Sequence, residues 1–197
     1  MSASPLERCH WVFDLDGTLT VAVHDFDRLR EELGLPGRAP ILEALAAMPV
    51  EERAPLEDKL VAWERRLAVA ARMAPDAAPL LEHLAHHGKR MGVLTRNTRA
   101  HALLTLDAAG IAAVFDPEDV IGRDGAQPKP SPEGIALLAR RWRAPTSDVV
   151  MVGDYLFDLQ AGRAAGVCTV LVDRARTGRW RDQADLVVGG LDELLEE

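Results

Sequence analysis

The chain has 197 residues, 48% of them hydrophobic, and 31 acidic against 23 basic side chains give it a formal charge of −8. That length supports one sizeable core, or a core with a small accessory lobe, and the composition is that of a folded globular protein and not a disordered one. The acidic balance argues against a broad nucleic-acid or anionic-membrane surface, which needs clustered Lys and Arg, but leaves room for an anionic small molecule at one local site.

In chain order, a short apolar run over 9–15 reads as a first strand that ends in an acidic turn. Helical patterns follow over 26–33, 40–48 and 56–73, the last opened by Pro55. Beyond them, helices over 75–87, 98–109, 132–142, 156–165 and 191–196 alternate with apolar strands over 90–94, 149–152, 167–172 and 186–188. A weaker strand falls at 119–121. Gly88, Gly110 and Gly166 come just after three of the helices, where a left-handed residue is usual. This alternation is the signature of an α/β fold with a doubly wound, mostly parallel sheet.

A direct crossover between neighbouring parallel strands takes about 10–30 residues. Asp14 and Thr95, at the ends of the first two clear strands, lie 81 positions apart. The excess reads as a small α-helical cap over 21–74, inserted after the first strand and placed over the crevice where open α/β sheets bind ligands. Residues 1–20 and 75–197 then form the α/β core. Cys9 and Cys168 are far apart with no CxxC, so neither a disulfide framework nor a cysteine metal knuckle is expected. The opening MSASPLERCHW lacks the apolar stretch of a signal peptide, and no apolar run approaches ~18 residues, so a cytoplasmic protein is expected.

The strongest chemical signal is Asp14-Leu15-Asp16-Gly17-Thr18-Leu19-Thr20, directly after Trp11-Val12-Phe13. Carboxylates at i and i+2 of an extended chain point the same way, and they repel unless a cation or a proton intervenes. Gly17 permits a sharp backbone exit. A bare Asp-x-Asp reads as an acidic turn; the full run after an apolar strand does not. The second signal is Gly153-Asp154-Tyr155-Leu156-Phe157-Asp158, where a helix starting near Tyr155 puts Asp154 at its start and Asp158 one turn on. Carboxylates converging from separate strand ends suit a hard cation such as Mg²⁺. Helix capping is the plainer reading of Asp154 alone.

Thr95-Arg96-Asn97 lies between a strand and a helix, where a hydroxyl and main-chain amides make a phosphate pocket, although capping also accounts for such residues. Only three of the basic residues are lysines. Of these, Lys129 stands in Gln127-Pro128-Lys129-Pro130-Ser131-Pro132, a stiff loop able to bring one point charge to a site. Taken alone it reads as a solvated loop lysine.

Together, and in this order, the four elements resemble the haloacid dehalogenase-like (HAD) superfamily over essentially the whole chain. The cap position is similar to that of its phosphoglycolate phosphatase and β-phosphoglucomutase branch, so a Rossmann-like core is implied. The resemblance implies that Asp14 is a nucleophile and Asp16 a general acid/base whose main-chain carbonyl also meets the metal. It implies that Thr95 and Lys129, with Arg96 and Asn97 beside Thr95, hold the phosphoryl oxygens. Asp14, Asp16, Asp154 and Asp158 would form the Mg²⁺ site, with Asp154 a direct ligand. The expected activity is Mg²⁺-dependent hydrolysis of a small phosphate monoester, phosphoglycolate-like or a sugar phosphate, through an aspartyl-phosphate on Asp14. A carboxylate nucleophile splits a very slow hydrolysis into two easier steps, and a pKa near ~6–7 would let Asp16 serve as acid and then base.

A 2-haloacid dehalogenase is the alternative in another reaction class, and Asp16 argues against it because dehalogenase relatives lack that second aspartate. A phosphomutase of the same fold and a degenerate phosphate-binding scaffold are the others. The expected partner is a small phosphorylated metabolite, with no nucleic acid and no membrane, and the chain is expected to be a monomer or weak homodimer. Relatives often continue the first motif with a variable residue and then Asp-Ser; here Val21-Ala22-Val23-His24-Asp25-Phe26 follows Thr20. His24, Asp25 and Arg28 are candidates for cap-side selectivity or, equally, surface residues of a cap helix. His83 and His87, four apart, read as dipole-favoured surface groups and not a Zn²⁺ pair. Trp63, Trp142 and Trp180 read as packing or cap-interface residues, and Arg174, Arg176, Arg179 and Arg181 as a solvated loop in preference to a contact with the far end of an anionic substrate.

Overall fold

A computed structural model of the protein describes residues 4–22, 25–37 and 39–196. Six strands, β1 (His10–Phe13), β2 (Arg90–Leu94), β3 (Val120–Ile121), β4 (Val149–Gly153), β5 (Cys168–Val172) and β6 (Leu186–Val188), form one sheet in the order β3-β2-β1-β4-β5-β6. All pairings are parallel. β1 is central, with Trp11 opposite Met91 on one side and Val150 on the other. Chain order runs outward in both directions from the β1–β4 pair, an arrangement that opens a crevice at the carboxyl ends of those two strands.

Period-two alternation divides each central strand between two helical layers. Trp11, Phe13, Val150 and Val152 pack with Leu80, Leu84 and Leu106 of α4 (Ala77–His86) and α5 (Arg99–Ala108). Val12 and Met151 pack on the other face with Ile135, Leu138 and Ala161 of α6 (Glu133–Trp142) and α7 (Leu156–Ala165). Burial on both faces is why these strands read as unbroken apolar runs. The expected doubly wound α/β architecture is the one observed, and Gly88, Gly110 and Gly166 take positive φ after α4, α5 and α7.

Between β1 and α4 the chain forms α1 (Phe26–Leu33), α2 (Ile41–Ala46) and α3 (Val50–Val69), which close around Leu29, Leu33, Leu45, Leu60 and Trp63. This segment leaves and returns through a narrow ribbon. Thr20 forms an antiparallel bridge with Met73, Val21 N donates to Arg72 O at 3.0 Å, and Ala74 N donates to Leu19 O at 2.9 Å. α3 lies along α5 of the core.

Several boundaries differ from those expected. β1 is shorter, because the chain turns at Asp14, although Asp14 N still donates to Val152 O at 2.8 Å. α3 begins at Val50 and runs through Pro55. Glu51 and Glu52 stabilise the first turn, and Pro55 lies on an exposed stretch where water can serve the Glu51 carbonyl it leaves without an amide partner. The last helix, expected over 191–196, is a four-residue 3₁₀ turn, Asp192–Leu195, too short to propagate as an α-helix but long enough to bury Leu194. No described helix is long and apolar enough to cross a membrane.

Candidate active site

Asp14 and Asp16 leave the end of β1 at the switch point. Asp14 is buried; its Oδ1 lies 2.5 Å from Lys129 Nζ, and its Oδ2 accepts from Thr18 Oγ1 at 3.3 Å. The same hydroxyl lies 3.3 Å from Asp154 Oδ1, so Thr18 spans the two carboxylates. Gly17 is required twice over: its φ is +89°, and a Cβ there would sit 2.3 Å from Asp154 Oδ2. Asp16 accepts from Asn97 Nδ2 at 2.7 Å.

Asp154 follows β4 directly and turns toward the Gly17–Thr18 backbone. The capping role falls to Asp158, whose Oδ2 accepts from Tyr155 N at 3.0 Å. Its Oδ1 lies 2.6 Å from Lys129 Nζ. Gly153 makes this possible, since a Cβ there would meet Asp158 Cγ at 2.2 Å. Lys129 is no solvated loop residue: it is buried between Asp14 and Asp158, with its side chain 2% exposed.

The electrostatics follow from this crowding. Burial, then the Asp14 charge and more weakly that of Glu64, push Asp16 up to about 7 against the opposing pull of Lys129 and Asn97. Burial and the charges of Asp14 and Asp158 push Asp154 up to about 8. Asp158 is pushed to about 6 by burial, with Lys129 pulling the other way. Burial disfavours the Lys129 charge, but Asp14 and Asp158 outweigh it and hold the ammonium above the ordinary lysine range. One Lys therefore faces more carboxylate than it can neutralise. Asp14, Asp154 and Asp158 each offer an oxygen within 4.8 Å of the others, a hard-oxygen set that fits a divalent cation such as Mg²⁺.

Thr95, directly after β2, is buried, and its Oγ1 accepts from Asn97 N at 3.1 Å. Arg96 reaches across the mouth of the site. Its Nη2 donates to both Glu43 oxygens at 2.7 and 2.8 Å, its Nη1 donates to Lys129 O, and the guanidinium lies over the Phe157 ring. A cleft of about 1090 Å³ joins these groups to the inserted helices, with Asp14, Asp16, Thr95 and Lys129 on the sheet side and Leu42 and Trp63 on the other. The structure thus brings together Asp14, Asp16, Thr95, Arg96, Asn97, Lys129, Asp154 and Asp158.

Of the cap-side candidates, Asp25 and Arg28 do not join them. Asp25 caps α1 by accepting from Arg28 N at 2.9 Å, Arg28 pairs with Glu32 on the exposed face, and His24 lies outside the described residues. The rings of His83 and His87 lie tilted against each other with centroids 4.1 Å apart, and Trp142 donates to buried Asp119 at 2.7 Å. Arg174 departs from the solvated-loop expectation: it donates to Gly17 O, to Thr18 O at 2.8 Å and to both Asp76 oxygens. Sequence reasoning also missed Glu64 and Arg123, a buried carboxylate and a half-buried guanidinium that pair at 2.7 Å where α3 meets the core. Glu64 lies on a helix otherwise rich in solvated charge, so only proximity to its distant partner distinguishes it.

A family model described as a haloacid dehalogenase-like hydrolase matches residues 11–166. A phosphoglycolate phosphatase from Rhodospirillum rubrum is 32% identical over 190 residues, covering 82% of this chain and 78% of that protein. Among solved structures, a hydrolase from Pseudomonas syringae superposes with a TM-score of 0.78 at 22% identity, over 96% of this chain and 97% of that one. An HAD phosphatase from Thermococcus onnurineus superposes with a TM-score of 0.68 at 26% identity, over 95% and 96% of the two chains. With the family model spanning both acidic motifs, the strand-end threonine and the loop lysine, the chain belongs to the haloacid dehalogenase-like hydrolases.

Proposed function

We propose that the protein is a Mg²⁺-dependent phosphatase acting on a small phosphate monoester, phosphoglycolate-like or a sugar phosphate. The observation that carries the reading is the convergence of buried Asp14, Lys129 and Asp158 with half-buried Asp154 beside Asp16, an acid poised near neutrality. The phosphatases named among its relatives support the same reaction class. Asp14 and Asp154, with Asp158 beside them and the main-chain carbonyl of Asp16, would hold the Mg²⁺, which when bound supplies positive charge to the phosphoryl oxygens.

In this reading a carboxylate oxygen of Asp14 attacks phosphorus, and the bond from phosphorus to the ester oxygen breaks. Asp16 donates its proton to that leaving oxygen, which departs as the alcohol. Water then attacks the aspartyl-phosphate while Asp16 takes its proton. The bond to Asp14 breaks, and phosphate and the free carboxylate are restored. Lys129 offsets charge at Asp14 and on the phosphoryl group throughout, and Thr95 with the neighbouring amides orients the phosphoryl oxygens. The inserted helices form a cap over the cleft that limits bulk water.

Hydrolysis of p-nitrophenyl phosphate with and without Mg²⁺, comparing wild type with Asp14→Asn, tests this. Turnover is expected only with Mg²⁺, and Asp14→Asn is expected to lower it at least about 10³-fold. Metal-independent turnover or an active Asp14→Asn would overturn the proposal.

A further inference from the structure

Behind the candidate acid/base lies a chain of contacts that the reaction scheme leaves unused. Glu64, on α3 of the inserted segment, is 5% exposed and carries a full carboxylate into the contact with α5. Arg123 answers it with two parallel bonds, Nη1 to Oε1 at 2.7 Å and Nη2 to Oε2 at 3.0 Å. His101 Nδ1 lies 3.3 Å from the same Oε2. Ion pairs taken out of water commonly add little net stability, and the feature of this one is where it aims the guanidinium.

That direction is toward the loop after β2. Arg123 Nη1 also donates to Arg96 O at 2.9 Å, and Arg123 N donates to Asn97 O at 2.9 Å. Both carbonyls of the Arg96–Asn97 step are thereby fixed by one residue. The step carries the Asn97 amide, which donates to Asp16 Oδ2 at 2.7 Å, and the Asn97 N–H, which donates to Thr95 Oγ1 at 3.1 Å. Glu64 is separated from Arg123 by 59 positions and Asn97 from Asp16 by 81, so the relay joins four distant parts of the chain.

We infer that Arg123, held in place by Glu64, is a positioning residue for Asp16: it fixes the Arg96–Asn97 step so that the Asn97 amide holds the acid/base in line, and it makes this geometry depend on the seating of the inserted helices. The inference rests on the phosphatase reading, in which Asp16 moves the proton.

The test is a mutant cycle in the full-length protein, with p-nitrophenyl phosphate and Mg²⁺, over wild type, Arg123→Gln, Asn97→Ala and the double variant. Arg123→Gln is expected to lower kcat about 10- to 100-fold with KM changed less than about threefold, the scale of loss for a misaligned reacting group. Asn97→Ala is expected to lose a similar amount. The double variant should fall no more than about twofold below the slower single variant, because both changes act through one carboxylate.

Losses that multiply in the double variant overturn the inference, as does an unchanged kcat in Arg123→Gln or an effect confined to KM. Where Arg123→Gln shows no cooperative thermal transition, near-isosteric Glu64→Gln takes its place in the cycle, with an expected kcat loss of about 3- to 10-fold. The two readings fail differently. A wild type without turnover removes the phosphatase reading and this inference with it; an active wild type with an inert Asp14→Asn and indifferent Arg123 and Glu64 variants removes the inference alone.

Discussion

At Gly17 the backbone takes a φ of +89°, and the space a Cβ would occupy is filled by the Asp154 carboxylate 2.3 Å away. Gly17→Ala therefore strains the turn and displaces one of the three clustered acids. We expect kcat for an aryl phosphate to fall about 100-fold or more, as for a misplaced reacting group, with Mg²⁺ activation shifted to higher concentration; a Mg²⁺ titration of the variant checks both. Residues of this kind were legible in the sequence because the motifs that hold them are compositionally odd. A DxDGT run after an apolar strand, and one lysine among prolines in a chain that otherwise prefers arginine, are visible without coordinates. Glu64 and Arg123 were not. Each sits in an unremarkable charged stretch, and their meaning arises only when α3 is laid along α5.

Among the elements, the tie between α4 and the loop after β5 lends itself to measurement. Asp76, at the start of α4, accepts from Arg174 at 2.8 and 2.9 Å and from Leu191 N at 3.0 Å. Burial pushes this carboxyl upward, but the Arg174 hydrogen bond and the Leu191 amide prevail and hold it below the usual 3.8. An acid depressed on folding contributes stability that is complete above its unfolded pKa and is lost as pH falls through the lower folded value. Wild type is therefore expected to lose urea resistance below about pH 3.8 more steeply than Asp76→Asn, which forgoes the contribution at neutral pH. Parallel acid limbs in the two titrations would exclude this origin. The elements themselves were largely readable, because a sheet buried on both faces writes its strands as apolar runs. The start of α3 was not, since Pro55 normally signals a helix boundary and here lies inside one.

For the molecule as a whole, the net charge of −8 is less informative than where its acids stand. Asp14, Asp154 and Asp158 converge within 4.8 Å, so the metal-free fold holds carboxylates against their mutual repulsion. Two outcomes follow for the same thermal-melt experiment. Mg²⁺ at about 100 times its dissociation constant should stabilise the wild type by about 2.7 kcal/mol. Asp154→Asn should melt above the metal-free wild type, lose most of the Mg²⁺ response and lose activity, a gain in stability set against function. A variant that melts lower, or keeps the full Mg²⁺ shift, would place the ion elsewhere.

The bridge between Thr20 and Met73 has a consequence of a different kind. A segment whose two ends are stitched together at one point can be lengthened, shortened or exchanged without disturbing the register of the sheet beneath it, so the fold is open to swapping the inserted helices as one part. In this chain that freedom is limited. A transplanted segment meets Arg123 as a fixed socket, and without a carboxylate to enter it the graft would leave a half-buried guanidinium without its ion-pair partner. Exchange of the inserted helices is thus constrained at their ion pairs with the core, Glu64 with Arg123 and Glu43 with Arg96, as well as at the splice points.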